Sequence, residues 1–162
     1  MWECCKPYFP LNQPLMPGLV SAAQTLGLEV LSVDIHSADE LAAAIDTAAR
    51  SGADGLICVP NPLLVVHQER VADLARSHRL PSVSAFREFA AAGGLMAYGP
   101  NLPALLRRAA YYVDRILKGA KPADLPVEQP MTFEFVVNMK TARELGITFP
   151  QEILLQVTEV ID

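Results

Sequence analysis

Cysteine, histidine, tryptophan and charge are all scarce in this 162-residue chain, and each scarcity removes a class of function. Three cysteines leave at least one unpaired, and Cys4 and Cys5 are adjacent, a poor arrangement for a disulfide framework; the redox compartment stays open. His36, His67 and His78 are scattered with no second ligand at metal spacing, which favours surface or capping roles over metal ligation. Charged residues make up 19%, and thirteen Lys+Arg against eighteen Asp+Glu leave a net charge of -5, the wrong sign for a nucleic-acid surface or an anionic membrane. No nucleic-acid partner is expected. No apolar run approaches the roughly eighteen residues of a membrane span. The first residues hold no basic segment followed by an apolar stretch, so the sequence as it stands carries no export signal. Catalytic signatures are missing too: there is no G-x-S-x-G, no phosphate-binding G-x-x-x-x-G-K-[ST], no G-x-G-x-x-G and no H-E-x-x-H. The expectation is a protein that is not an enzyme and takes no cofactor.

What the chain has in quantity is apolar residues, 51% of the total, enough to bury a sizeable core in about one domain. Four of its thirteen prolines (Pro7, Pro10, Pro14, Pro17) fall in the first seventeen residues, so Met1 to Gly18 is expected to be irregular. Beyond it the pattern becomes regular. A short helix through Leu19 to Leu26 ends at Gly27, and Leu28 to Ile35 reads as a strand. Ser37 and Glu40 fit a capping box for a helix whose apolar positions are Leu41, Ile45, Ala48 and Ala49. Ala53 to Val59 is an almost continuous apolar run, the signature of a strand buried on both faces of a parallel sheet. After Pro60-Asn61-Pro62 the cycle repeats, with a helix ending near His78 and a strand at Pro81 to Ala85. Val30 to Ile57 is 27 positions and Ile57 to Val83 is 26, the even spacing of β-α units feeding one parallel sheet with helices on both faces. The fold class is therefore α/β, three-layered about a parallel sheet.

Ala90 to Gly94 is small and flexible, a place where the chain could cross between lobes, and Leu95 to Tyr98 is a further strand. Asn101 caps a long helix whose apolar stripe is Leu105, Ala109, Val113, Ile116 and Leu117 up to Gly119. Lys121 to Pro130 is an extended connector, Met131 to Asn138 alternates as a strand with one face more buried, and Thr148 to Ile161 closes the chain as a short amphipathic helix.

In open α/β sheets ligands sit outside the carboxyl ends of the parallel strands, here Asp34 to Ser37, Pro60 to Pro62 and Ser84 to Glu88. Asn61 is either a turn former or a rigidly held hydrogen-bonding group for a ligand. Ser84, Phe86 and Arg87 offer a hydroxyl, a ring and a fixed positive charge, suited to a small carboxylate, unless Arg87 pairs with Glu88 or another acid. Tyr98 to Asn101 is a second contact loop, with Asn101 equally a simple N-cap. Cys58 inside its strand reads as a small core residue, and Tyr111-Tyr112 as helix packing.

The runs Phe86-Arg87-Glu88-Phe89, Gly93 to Asn101 and Ile116 to Pro130, continued by Phe133 to Asn138, Lys140-Thr141-Ala142 and Leu145 to Thr148, resemble the ABC-transporter substrate-binding proteins related to the tryptophan/tyrosine-binding group. The resemblance implies a type I periplasmic binding protein: two α/β lobes closing on a small solute, exported or membrane-anchored, and delivering it to an ABC permease. On that pattern 18–92 and 127–162 would form the second lobe, 93–125 would run back to a first lobe largely missing here, and 1–17 would be a divergent start. Leu95 to Tyr98 would then lack its sheet partners. The helix over 102–118 would expose its stripe and favour a homo-oligomer. The resemblance puts Asn61, Ser84, Phe86, Arg87, Tyr98 and Asn101 at the ligand, an amino acid or small carboxylate. Two other expectations stand beside it: a cytoplasmic ligand-sensing domain on the same half-fold, and a flavodoxin-like enzyme, for which Asp34 to Ser37 is an unpromising cofactor turn.

Overall fold

The computed structural model describes residues 14–162 in full and the backbone of the strand Trp2–Pro7. Seven strands form one sheet: β1 (Trp2–Pro7), β2 (Val30–Ile35), β3 (Gly55–Cys58), β4 (Ser82–Ser84), β5 (Met96–Pro100), β6 (Phe133–Asn138) and β7 (Glu159–Ile161), in the spatial order β2-β1-β3-β4-β5-β6-β7. From β2 through β5 every pairing is parallel, β6 runs antiparallel to β5, and β7 is parallel to β6. The helices are α1 (Leu15–Thr25), α2 (Leu41–Arg50), α3 (Pro62–Val66), α4 (Gln68–Ser77), α5 (Arg87–Ala91), α6 (Leu102–Leu117), α7 (Met139–Leu145) and α8 (Gln151–Leu154).

The core lies on one side of this sheet. Ile35, Leu56 and Cys58 from the strands meet Leu41, Ile45 and Ala48 of α2, Val71, Ala72 and Ala75 of α4, and Phe89 of α5. A smaller patch of Ala90, Ala97 and Val136, with Ile161 against it, continues the layer towards β7. Going from β1 to β2 the chain moves opposite to the β2-to-β3 and β3-to-β4 crossovers, and the right-handed rule then sets α1 on the other face. Only Ala23 of α1 is buried, so that layer is thin. The three-layer α/β class holds.

Several sequence expectations are corrected. Met1 to Gly18 is not irregular throughout: Trp2–Pro7 is a strand between β2 and β3, and α1 begins at Leu15. Pro7 is the last residue of that strand. Residues 8–13 and the side chains of Cys4 and Cys5 lie outside the described residues. Leu95 to Tyr98 does not lack partners, since β5 pairs with β4 on one side and β6 on the other. The closing helix is one turn, α8, followed by β7: three residues suffice for a strand when β6 offers an edge. Burial along β6 does not alternate but deepens, from exposed Phe133 to fully covered Val136 and Val137, because its first half extends past the helix layer. Helices α5 and α7 fall where no helix was expected, and the helix after Pro62 breaks at His67 into α3 and α4.

Helix α6 stands apart. None of its residues is buried; of the expected stripe Val113, Ile116 and Leu117 are exposed while Leu105 is half-buried and faces the groove with Ala109, and Leu106, outside that stripe, is exposed as well. Residues 126–132 run back along it as a strap. Tyr112 donates its hydroxyl to the Pro126 carbonyl at 2.8 Å, Arg108 pairs with Glu128, and the Asn101 N–H bonds the Thr132 carbonyl at 3.0 Å. The Arg108 guanidinium also lies 4.1 Å from the Tyr111 ring centroid, a cation–π contact that accounts for the tyrosine pair.

Candidate functional site

Because β1 to β5 are parallel and β6 turns back, the ends of β2, β3, β4 and β5 and the start of β6 open on one edge. The start of β7 lies there too. That edge gathers Asn61, the Ser84–Arg87 turn, the Tyr98–Asn101 loop, Phe133, Glu134 and Glu159. The sequence-predicted residues are thus brought to one side of the sheet.

Each of them also holds the edge together. Asn61 is 5% exposed; its Oδ1 accepts from the Leu64 N–H at 3.0 Å as the N-cap of α3, and its Nδ2 donates to the Val59 carbonyl at 3.1 Å. The amide is engaged at both ends. Ser84 donates Oγ to the Cys58 carbonyl at 2.9 Å, tying β4 to β3. Phe86 and Ser84 share a pinhole of about 10 Å³ with Cys58, Leu64 and Phe89. Cys58 is 2% exposed within the core.

Arg87 opens α5 and is half-buried. Its Nε donates to Glu159 Oε2 at 2.6 Å and its Nη2 to Glu159 Oε1, a bidentate pair spanning 72 residues. The acid that Arg87 finds is Glu159 rather than Glu88. The hydrogen bond that Arg87 donates to Glu159, then the charge of that carboxylate, push the guanidinium pKa upward, so the group stays cationic at any accessible pH.

Tyr98 is 59% exposed and faces Phe135 in strand register, edge-on at 5.8 Å between ring centroids; it also stacks on Phe133 at 6.1 Å. Asn101 is the N-cap of α6, with Oδ1 accepting from the Ala104 N–H at 2.7 Å and Nδ2 donating to Glu134 Oε1 at 2.6 Å. Glu134 stands opposite Gly99. A Cβ on Gly99 would come within 2.2 Å of the Ala85 carbonyl oxygen, so this glycine lets the Ser84–Arg87 turn cross directly over β5.

Sequence reasoning missed Glu134, Glu159 and Phe133. Glu159 was read into a helix, and the place of Glu134 depends on its register with Gly99. A wider groove of about 510 Å³ lies between α6 and the strap, lined by Ala104, Leu105, Arg108, Tyr112, Pro130 and Met131, and meets the edge only at Asn101. Among the described residues no group of three or more His, Cys, Asp or Glu side chains could hold a metal ion, and no helix is long and apolar enough to cross a membrane.

A mostly parallel sheet that collects polar strand ends on one edge, with two strands and a long helix extending beyond its core layer, is the build of a lobe from a two-lobed solute-binding protein. The family model for ABC transporter substrate binding proteins matches residues 4–161, and the chain belongs to that family. Among solved structures it is similar to an ABC domain in complex with L-Trp from Streptococcus pneumonia, with TM-score 0.88 and 25% identity over 99% of this chain and 56% of that one. It is similar in fold to a conserved domain protein from Vibrio cholerae, with TM-score 0.87 and 22% identity over 98% and 54% of the two chains. A third is the ligand-free, open structure of CD0873, a substrate binding protein with adhesive properties from Clostridium difficile, at TM-score 0.72 and 20% identity over 99% and 54%. The chain spans about half the length of these structures. No curated protein matches it.

Proposed function

We propose that this chain supplies the second lobe of the solute-binding component of an ABC importer, holding an amino acid or small carboxylate at the strand-end edge and presenting it to a permease. In this reading 18–92 and 127–162 form the ligand-binding lobe and 93–125 reaches towards a partner lobe, with β5 itself still in the lobe sheet. The protein works outside the cytoplasmic membrane or anchored to it, as members of the family do. It binds and releases without making or breaking bonds.

The observation that carries the reading is the convergence of the Ser84–Arg87 turn, the Tyr98–Asn101 loop and Glu134 at one sheet edge. The L-Trp complex of a structure sharing its fold at TM-score 0.88 supports an amino acid as the solute class. Asn61, Ser84, Phe86, Arg87, Tyr98 and Asn101 are the proposed ligand-facing set. Thermal-shift and calorimetric titration of the chain with the common L-amino acids and small carboxylates tests it. Saturable binding by one of these classes is expected, and the absence of binding by every member overturns the proposal.

A further inference from the structure

Two of the three cysteines, far apart in sequence, share one rung of the sheet. β1 runs between β2 and β3, and its register sets Cys5 opposite Cys58, with Val33 on the other side of Cys5. Residues on one rung of a parallel pair lie on the same face, because side chains alternate with period two from a common register. Neighbouring strands stand about 4.7–4.9 Å apart, inside the window of about 4.4–6.8 Å that a disulfide needs between its Cα atoms. The backbone spacing already suits a bond. Cys58 is 2% exposed and belongs to the core with Ile35, Leu56 and Phe89. Cys4 sits one rung back, opposite Ile57, which assigns it to the other face of the sheet and away from Cys58.

We propose that Cys5 and Cys58 form a disulfide that staples β1 to β3 and leaves Cys4 as the thiol. The step is thiol–disulfide exchange with an external disulfide. The Cys5 thiolate attacks one sulfur of that oxidant and expels a first thiolate; the Cys58 thiolate then displaces the second from the mixed disulfide. The two cysteines give up two protons and two electrons, and the S–S bond of the oxidant becomes two thiols. Because Cys58 is buried, exchange takes place while β1 docks during folding rather than on the finished sheet. The staple holds more than one strand: β2 joins the sheet only through β1, so the edge strand and the Asp34–Ser37 turn are fixed with it. Disulfides persist outside the cytoplasmic membrane, where the solute-binding reading puts the chain, but the pairing follows from strand register and needs no solute.

The test refolds the reduced, unfolded chain in a mixture of oxidised and reduced glutathione, blocks remaining thiols with iodoacetamide, and maps tryptic peptides by mass without reductant. Cleavage after Arg50 and Arg70 puts Cys4 and Cys5 in peptide 1–50 and Cys58 in peptide 51–70. These two peptides are expected to be linked, with one carbamidomethyl group between them. Cys4→Ser is expected to keep the link and Cys5→Ser to lose it, with circular dichroism confirming the fold of both. Adding reductant is expected to lower the Tm of wild type by roughly 4–16 °C and leave that of Cys5→Ser unchanged. The same glutathione mixture in urea above the unfolding midpoint is expected to give the link in several-fold lower yield, since only the folded register brings the pair together. Three carbamidomethylated cysteines, a Cys4–Cys5 or Cys4–Cys58 bond, or a link of equal yield in urea overturns the proposal. None of these outcomes bears on the solute titrations, so either reading can fail without the other.

Discussion

Replacing Asn138 with alanine should unfold this lobe at markedly lower denaturant. Asn138 ends β6 and begins α7, and it is 5% exposed. Its Oδ1 accepts from the Thr141 N–H at 2.9 Å, and its Nδ2 donates to the Ala90 carbonyl at 2.9 Å. Loss of the cap costs about 1 kcal/mol. Ala90 is fully buried, so its carbonyl loses this donor where water does not reach it, at roughly 1–3 kcal/mol. The sum is about 2–4 kcal/mol, which in a domain of this size lowers Tm by roughly 4–16 °C. Asn138→Ser separates the two parts, because a hydroxyl can cap Thr141 but cannot reach Ala90; it should lose only about 1–3 kcal/mol. Asn101→Ala, at a half-buried cap, should cost about 1 kcal/mol. Urea denaturation followed by far-ultraviolet circular dichroism, with m-values compared to confirm a common transition, measures all three. If Asn138→Ala stays within about 0.5 kcal/mol of wild type, or Asn138→Ser equals wild type, the bond from β6 to α5 carries no stability and the reasoning is wrong.

Gly99→Ala places a methyl 2.2 Å from the Ala85 carbonyl oxygen, and should destabilise by about 2 kcal/mol or more in the same urea assay; a neutral result would show that the Ser84–Arg87 turn yields freely. A double-mutant cycle on Arg87 and Glu159, both more than a third exposed, should give a coupling of about 1 kcal/mol or less that shrinks in high salt, and salt independence would contradict that exposure. Glu128 is held below its ordinary value of 4.5 by the hydrogen bond from Arg108. The strap contact therefore contributes in full above pH 4.5 and is lost as pH falls through the depressed value, and Glu128→Gln should flatten that acid-side loss in unfolding midpoints measured against pH. The exposed part of the α6 stripe should drive self-association that Val113→Asp and Ile116→Asp abolish in sedimentation velocity, an idea refuted if wild type sediments as a monomer at every concentration tested.

The β-α repeat was legible because each central strand is an apolar run and each crossover helix has its own period, so Gly55–Cys58 and Leu41–Arg50 fell where spacing put them. The two edge additions were not. In β1 the proline count outweighed a strand whose single proline is its last residue. In β7 three residues are too few for period to separate strand from helix, and only the free edge of β6 decides it. The same holds for the site. The strand-end rule put Asn61 and Ser84 at the carboxyl ends of parallel strands, where the structure has them, since it depends on local order alone. It could not reveal that Arg87 meets an acid 72 residues away or that Glu134 faces Gly99, since both follow from tertiary register.

At that edge, groups whose hydrogen bonds build the fold separate from groups left outside those bonds, and on the proposed reading the second set would meet the solute. Asn61 spends both ends of its amide within four residues, Ser84 bonds the neighbouring strand, and Asn101 spends one end on a helix and the other on Glu134. The groups outside these bonds are few: the second oxygen of Glu134, the Nη1 end of Arg87 and the exposed ring of Tyr98. Substitutions at the two sets should therefore fail differently. Asn61→Ala should lose stability and solute affinity together, because the turn after β3 loosens before any contact is lost. Glu134→Gln should lose affinity with the unfolding midpoint held. If affinity at both positions follows stability alone, the edge acts as scaffold and the solute is read elsewhere.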